Sequence, residues 1–173
     1  MTIFVDMDDV LADTYGKHIE LYNKEHQQEL NINQISSGEM WQNVPEEHHL
    51  SIRQHALQPG FFRDLEPIKD AIPVMEALYN KHDVYIATAA TQFPNSLIEK
   101  SEWLAEHMPF ITWQHQIMCG DKFILNGDLL IDDRTYNLKD FKGDTLLFNS
   151  PHNVNDTGFT RVATWEEIAK ILL

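Results

Sequence analysis

Four short apolar runs along the chain, separated by more polar segments, predict buried strands. They are TIFVD at residues 2–6, VYIAT at 84–88, LLIDD at 129–133 and TLLF at 145–148. Apolar runs of this length with polar boundaries are typical of parallel strands that are covered on both faces. The first three runs close on acidic or hydroxyl side chains, so each predicted strand leads directly into a hydrophilic segment.

Amphipathic segments between these runs indicate helices. The apolar positions that share a face are Ile72, Met75, Leu78 and Tyr79 in residues 71–81, and Leu97, Ile98 and Leu104 in residues 94–107. Near the C-terminus, Thr164 and Glu167 have the spacing of a capping box at the start of a last helix. Strands that alternate with crossover helices predict an α/β fold with a doubly wound parallel sheet of Rossmann-like architecture.

Residues 14–69 interrupt the alternation of strands and helices. They contain helical stretches at 17–28 and 45–57 but no convincing strand pattern. We therefore expect a helical insertion at 14–69, between the first strand and its crossover helix, and an α/β core made of residues 1–13 and 70–173. An insertion at this point would lie over the end of the first strand, as a cap or lid does.

Polar side chains end three of the predicted strands. Asp6 ends the first, Thr88 ends the second, and Asp132 and Asp133 end the third. In an open parallel sheet, ligands bind outside the carboxyl ends of the strands, so these side chains are expected at one edge. Each of them taken alone is better explained as a turn or helix cap. As a set, converging carboxylates repel one another and call for a positive partner.

A divalent cation with oxygen ligands would relieve that repulsion. Mg²⁺ is the expected ion, because it takes one or two carboxylates and shares its other coordination sites with water and phosphate oxygens. The first acidic stretch is not an EF-hand loop, since Val10 occupies the fifth loop position and no glycine follows it.

Charge and cysteine content exclude several classes of protein. The 173-residue chain has a formal net charge of −14, which argues against binding of a nucleic acid polymer, since Lys and Arg hold phosphate backbones. Cys119 is the only cysteine, so an internal disulfide and a cysteine zinc site are both excluded. The N-terminus has no signal-peptide pattern, and no apolar run reaches the length of about 18 residues that a membrane span needs. We expect a cytoplasmic protein without membrane contact.

Asp6 and Asp8 lie two residues apart where the first strand ends, a spacing that suits paired carboxylate chemistry. One can present a nucleophilic oxygen while the other serves the leaving group, first as acid and then as base. Phosphoryl transfer needs such a pair together with a metal and nearby positive charge. Lys122 could supply the charge, and the hydroxyl of Thr88 could donate to a phosphoryl oxygen.

These residues resemble, in order, the four motifs of the haloacid dehalogenase superfamily of phosphatases. The motifs are DMDDVLAD at 6–13, the apolar run that ends in Thr88, Lys122, and LLIDDR at 129–134. Three further stretches resemble the 5'(3')-deoxyribonucleotidase branch, namely PGFFRDLEPIKDA at 59–71, EKSEWL at 99–104 and DKFILNGDLLIDDR at 121–134. The resemblance covers most of residues 1–135. It implies a Mg²⁺-dependent phosphomonoesterase that hydrolyses deoxyribonucleoside monophosphates.

The resemblance also implies a role for each acidic residue. Asp6 would be the nucleophile that forms an aspartyl-phosphate, and Asp8 would be the general acid and base. Mg²⁺ would be held by Asp6, the backbone carbonyl of Asp8, and the Asp132/Asp133 pair, one directly and the other through water.

The same resemblance assigns residues to the substrate. Thr88 and Lys122 would bind the phosphoryl group, with Lys100 near it and Arg134 on the substrate side. Phe61 and Trp41 would wall an apolar pocket around the sugar, which would disfavour a 2'-hydroxyl because that group would be buried without a partner. Each aromatic is equally well explained as plain core of the insertion.

Two positions depart from the branch pattern. Ala89 follows Thr88 where the branch usually has a serine, and Gly120 stands where its animal members have an arginine. Both departures lie near the expected phosphate site, so they leave the reaction class intact and bear on substrate preference.

Two other functions are compatible with these residues. A phosphoacceptor module of the receiver type also carries acids, a Thr and a Lys at strand ends, but its acid pair comes from the first strand and it has no long insertion. The late position of Asp132 and Asp133 favours the enzyme. A related phosphatase for another small ester fits equally well. The physiological substrate, the 5' or 3' preference, the deoxy or ribo preference and the choice between a monomer and a homodimer stay open.

Overall fold

Six strands form one parallel sheet in the computed structural model, which describes residues 1–173. Their bounds are β1 Thr2–Val5, β2 Asp83–Thr88, β3 Gln116–Met118, β4 Leu129–Asp132, β5 Asp144–Phe148 and β6 Arg161–Val162. The strand order is β3-β2-β1-β4-β5-β6, and Phe4 of the central strand β1 pairs with Tyr85 on one side and Leu130 on the other. The predicted doubly wound α/β fold is confirmed, and the short edge strands β3 and β6 are additions to it.

Six α-helices connect and cover the strands. They are α1 Thr14–His26, α2 His49–His55, α3 Ala71–Lys81, α4 Ser96–His107, α5 Thr135–Lys139 and α6 Trp165–Leu172. Thr164 caps α6 as predicted, because its hydroxyl accepts a hydrogen bond from the backbone N–H of Glu167. No helix is long and apolar enough to cross a membrane.

Alternate residues of the strands face opposite sides of the sheet and build two cores. Ile3 and Val5 of β1 pack with the helical residues Met75, Trp103 and Ile168 in the larger core. On the other face, Phe4, Leu130 and Leu147 pack with Leu138 and Phe141. The sheet is therefore covered on both faces, which explains why its strands read as continuous apolar runs.

The buried face of α4 differs from the expected one. Leu97 and Ile98, which belong to the apolar face indicated by the sequence, are 46% and 63% exposed. The buried positions of this helix are Ser96, Glu99, Lys100, Trp103 and Leu104. The amphipathic pattern misleads here because the inward face of α4 carries a carboxylate and an ammonium that find partners inside the protein.

Residues 14–69 contain α1, α2 and three short 3₁₀ turns but no strand. The second predicted helical stretch, 45–57, is mostly a 3₁₀ turn at Glu46–His48 followed by the short helix α2. Tyr15, Tyr22 and Ile52 belong to a small separate cluster, whereas Phe61 and Phe62 pack into the larger core. The division of the chain into a core and a cap at 14–69 stays a prediction.

Candidate active site

The strand ends bring the predicted acidic residues to one edge of the sheet. Asp6 directly follows β1, and its backbone N–H donates to the carbonyl of Ile131 in the neighbouring strand β4 at 2.9 Å. Thr88 and Asp132 are the last residues of β2 and β4, which flank β1. All three side chains are almost fully buried, so the parallel topology concentrates their polar groups in a confined space.

A tight turn follows Asp6 and fixes the direction of the next carboxylates. The carbonyl of Met7 accepts hydrogen bonds from the N–H groups of Leu11 and Ala12, at 2.8 and 3.0 Å. Asp9 adopts a left-handed conformation with φ of 53°, which Asp tolerates better than most residues. Its carboxylate accepts from the N–H of Tyr15 at 2.8 Å and so ties the turn to the start of α1.

Lys122 supplies a buried positive charge between two of the carboxylates. Its Nζ lies 2.7 Å from Asp6 Oδ1 and 2.5 Å from Asp132 Oδ2. Burial disfavours the charged ammonium, but Asp6 and Asp132 outweigh it and hold the pKa of Lys122 above its usual range. The structure thus brings this lysine into the acidic cluster, as the sequence predicts.

Lys100 supplies a second buried ammonium from α4. Its Nζ donates to Asp8 Oδ2 at 2.7 Å and to the hydroxyl of Thr88 at 2.9 Å, and it lies 4.9 Å from the centre of the Phe62 ring. The other oxygen of Asp8, Oδ1, is buried without a hydrogen-bond partner. Lys100, Asp8 and Thr88 therefore form a polar group beside the one around Lys122.

Asp132 is held by several donors at the end of β4. Besides Lys122, its oxygens accept from the backbone N–H of Arg134 at 2.8 Å and from the side-chain amide of Asn137 at 3.0 and 3.1 Å. Burial, followed by the charge of Asp6, raises the pKa of Asp132 to about 6.

Asp133 offers an oxygen that no protein group uses. Its Oδ2 lies 2.6 Å from His152 Nε2, whereas Oδ1 is buried without a partner. Burial and the charges of Asp132 and Asp6 raise the pKa of Asp133 well above its usual range. Oxygens of Asp6, Asp132 and Asp133 lie within 4.8 Å of one another. This set of hard oxygen donors fits a divalent cation.

A cavity of about 360 Å³ opens over these groups. Its lining includes Asp6, Asp8, Lys122, Asp133, Phe61 and Arg134. The guanidinium of Arg134 forms an ion pair with Glu39 and lies 3.6 Å from Asp133 Oδ2. Ala89 and Gly120, the two departures from the branch pattern, also line this cavity.

Trp41 lies away from the acidic cluster. It lines an adjoining cavity of about 350 Å³ rather than the first one, and the guanidinium of Arg53 lies 4.3 Å from the centre of its ring. The two cavities share Thr14, His18 and Gln92 among their lining residues. Phe61 and Trp41 are therefore brought to neighbouring spaces, not to one wall.

Several residues of the site could not be found by pattern alone. Asp9, Glu39, His18, Asn137 and His152 line the cavity or contact its carboxylates. Two histidine side chains of this region are inside the protein, since that of His55 is fully buried and that of His152 is 5% exposed. For Asn137 the sequence offers one signal of a contact with Asp132: it lies 5 residues further along the chain, on the first turn of the following helix.

The solved structures that resemble this fold include haloacid dehalogenase hydrolases. A family member from Bacillus subtilis, bound to magnesium, superimposes with a TM-score of 0.60 at 15% identity over 99% of this chain and 97% of its own. One from Deinococcus radiodurans, with bound phosphate and sodium, gives a TM-score of 0.63 at 15% identity over 99% and 96%. The likeness to these structures shows the fold, a parallel α/β sheet of the haloacid dehalogenase type.

Sequence relatives specify the family more narrowly. The sequence model described as "5' nucleotidase, deoxy (Pyrimidine), cytosolic type C protein" matches residues 1–173. The 5'(3')-deoxyribonucleotidase of Bacillus subtilis is 37% identical over 171 residues, which cover 99% of this chain and 98% of that protein. A protein of Staphylococcus aureus is 40% identical over 173 residues, or 99% and 95% of the two chains. The chain belongs to the 5'(3')-deoxyribonucleotidase family and is a phosphoric monoester hydrolase.

Proposed function

We propose that this protein is a cytoplasmic, Mg²⁺-dependent 5'-nucleotidase that hydrolyses deoxyribonucleoside monophosphates to deoxyribonucleoside and phosphate. One observation carries the proposal: Asp6 and Asp8 line the same cavity, and each is paired with a buried ammonium, Lys122 and Lys100 respectively. Two carboxylates and two cations around one space match what the transfer of a dianionic phosphoryl group requires.

Asp6 is the proposed nucleophile. Its carboxylate attacks phosphorus, an aspartyl-phosphate bond forms, and the bond from phosphorus to the 5'-oxygen breaks. Asp8 gives its proton to the departing oxygen and then takes a proton from the water that attacks the aspartyl-phosphate. Phosphate leaves, and the Asp6 carboxylate and the protonated Asp8 are restored. The hydrogen bond from Lys122 orients Asp6 throughout.

The phosphoryl oxygens need donors: Lys122 lines the cavity, and Lys100 and Thr88 lie next to Asp8, which also lines it. Thr88, Lys100 and Lys122 are the proposed phosphate ligands, and Arg134 approaches from the substrate side. The ammonium of Lys100 already contacts both Asp8 and Thr88, so a short shift toward a phosphoryl oxygen would exchange one anionic partner for another. Such charge-assisted bonds are the stronger class of hydrogen bond in proteins.

Mg²⁺ is the proposed cofactor, and Asp6, the carbonyl of Asp8, Asp132 and Asp133 would hold it. When bound, the cation offsets the negative charge of the phosphoryl oxygens and of the carboxylates around it. The unpartnered Oδ1 of Asp133 supports this assignment, because a buried carboxylate oxygen without a donor is costly unless a cation compensates it. The structural neighbour from Bacillus subtilis that is bound to magnesium supports it further.

Residues 14–69 are the proposed cap, which holds the nucleoside. Phe61 would contact the sugar, and the adjoining cavity with Trp41 would take the more distant part of the substrate. A deoxyribose fits an apolar wall better than a ribose, since a buried 2'-hydroxyl would lose its hydrogen bonds to water. The Bacillus relative named 5'(3')-deoxyribonucleotidase supports this substrate class.

Acid quenching during turnover of dTMP with radiolabelled phosphate tests the covalent route. We expect label on the wild-type protein in an acid-stable, hydroxylamine-sensitive form, and none on Asp6→Asn. Turnover without any labelled protein would contradict the aspartyl-phosphate route.

A further inference from the structure

A chain of hydrogen bonds runs through α1 and α2 and ends at the active-site cavity. Oε2 of Glu25 lies 3.0 Å from Nε2 of His55, and Nδ1 of His55 lies 3.0 Å from Nδ1 of His18. The two imidazole rings stack with 5.2 Å between their centres, and the side chain of His55 is fully buried. None of these three residues has a part in the proposed chemistry at Asp6 and Asp8.

When both imidazole rings are neutral, the donor and acceptor roles along these hydrogen bonds can be assigned in one way only. Burial opposes ionisation of Glu25, but hydrogen bonds from the side chains of His55 and Gln58 lower the pKa of Glu25, so this carboxylate only accepts. His55 then carries its proton on Nε2 and accepts at Nδ1. His18 must donate from Nδ1, which leaves a lone pair on its Nε2.

The free nitrogen of His18 belongs to a residue that lines both cavities. Its Nδ1 is engaged with His55, its ring packs 4.9 Å from that of Phe61, and its Nε2 makes no hydrogen bond to the protein. Burial, followed by the proximity of His55, lowers the pKa of His18 to about 4, so the ring is neutral near pH 7. His18 thus carries a neutral acceptor where the two cavities meet.

We propose that His18 Nε2 accepts a hydrogen bond from the nucleoside part of the substrate, and that Glu25 and His55 are positioning residues that hold His18 in this tautomer. The inference rests on the proposed function and adds a specificity determinant to it. The donor is a neutral O–H or N–H, either the 3'-hydroxyl of the deoxyribose or the ring N3–H of thymine or uracil. A substrate without this donor leaves the nitrogen unpaired.

The tautomers can be measured in the free enzyme. ¹⁵N NMR of the imidazoles in the full-length protein at neutral pH is expected to show His18 protonated on Nδ1 and His55 protonated on Nε2. In Glu25→Gln, the side-chain amide can donate as well as accept, so the preference of both imidazole rings for one tautomer should weaken. A proton on Nε2 of His18 in the wild-type protein would overturn the inference.

Kinetics test what the nitrogen recognises. The measured quantity is the ratio of kcat/KM for dTMP to that for p-nitrophenyl phosphate, which lacks a nucleoside. We expect the ratio to fall about tenfold in His18→Phe, the effect of one lost neutral hydrogen bond, and less in Glu25→Gln. The matched control is His26→Phe, a histidine of the same helix that lies outside both cavities, and it should keep the wild-type ratio.

Substrate analogues identify the donor. Two analogues are compared, 3'-deoxythymidine 5'-monophosphate and N3-methyl-dTMP, and each lacks one of the two candidate donors. On the analogue that lacks the true donor, the wild-type enzyme and His18→Phe should have the same kcat/KM. On the other analogue, their kcat/KM values should differ. If His18→Phe leaves the ratio of kcat/KM for dTMP to that for p-nitrophenyl phosphate unchanged, the inference is overturned. An equal loss of kcat/KM on both analogues in His18→Phe would also overturn it. Wild-type turnover of dTMP is established first, so failure of the proposed function is seen separately from failure at His18.

Discussion

Lys122 holds Asp6 through an ion pair of 2.7 Å between Nζ and Oδ1, at the point where β1 ends. Oδ2 of Asp6 makes no hydrogen bond with the protein, and the residue lines the cavity. A carboxylate that is fixed by one oxygen and free at the other is suited to attack on phosphorus, because the entropic cost of aligning it is already met.

Asp6→Asn should reduce phosphate release from dTMP by about a thousandfold or more, since an amide oxygen is a poor nucleophile. The fold should persist, because Asn keeps the shape of the side chain. Steady-state kinetics with circular dichroism checks both expectations. Asp83→Asn, at the exposed first residue of β2, is the matched control and should keep wild-type activity. Retained activity in Asp6→Asn would contradict a covalent role for Asp6.

Lys122→Met should destabilise the protein by about 3 kcal/mol, because Asp6 and Asp132 would be left buried without their shared partner. Urea unfolding in EDTA near pH 7 measures this free energy. Lys139→Met, at an exposed lysine of α5, should change stability by less than about 0.5 kcal/mol. Equal stabilities of the two variants would show that Lys122 is not required to balance the acidic cluster.

Glu99 connects α4 to the loop that carries Phe61. Its carboxylate accepts from the N–H groups of Gly60 and Phe62 at 2.7 and 3.0 Å. Glu99→Ala should cost about 2 kcal/mol in stability, since one buried and one partly buried N–H group lose their acceptor, and should raise KM for dTMP more than KM for p-nitrophenyl phosphate. Glu102→Ala, on the exposed side of the same helix, is the matched control. A KM that rises equally for both substrates would contradict a link between Glu99 and the nucleoside.

The pH dependence of stability should carry a contribution from His18. Its pKa is lowered to about 4 in the folded protein, against about 6.5 in an unfolded chain. The unfolded state therefore binds more protons between these values, so the contribution is fully present above about pH 6.5 and is lost as the pH falls toward 4. Urea unfolding from pH 7 to pH 5 should show a shallower loss in His18→Phe than in the wild type. Identical slopes would contradict a neutral His18 in the folded protein.

The acidic edge could be predicted from the sequence because its cause is simple. Buried parallel strands read as apolar runs, and parallel strands end at the same edge, so Asp6, Thr88 and Asp132 had to converge. Lys122 could be added because phosphoryl transfer needs positive charge close to the carboxylates and the metal. The helix α3 was predicted with its correct bounds, since its apolar face follows the helical period.

Other features depend on tertiary contacts that no local pattern reports. The strands β3 and β6 have three and two residues, too few for an alternation to be read. The polar inner face of α4 has its reason in partners far away in the chain, such as Asp8 for Lys100. The link between His18 and His55 spans 37 positions, so neither histidine could be assigned to the cavity from its neighbours in sequence.

Phosphate release from dTMP, with Mg²⁺ and after its removal by EDTA, tests the central claim most directly. The same assay with the ribonucleotide UMP, with dUMP and with p-nitrophenyl phosphate sets the substrate class. We predict turnover of dTMP and dUMP well above that of UMP, loss of this activity in EDTA, and recovery when Mg²⁺ is restored. Activity on p-nitrophenyl phosphate without turnover of any deoxynucleotide would contradict the account and assign the site to another phosphate ester.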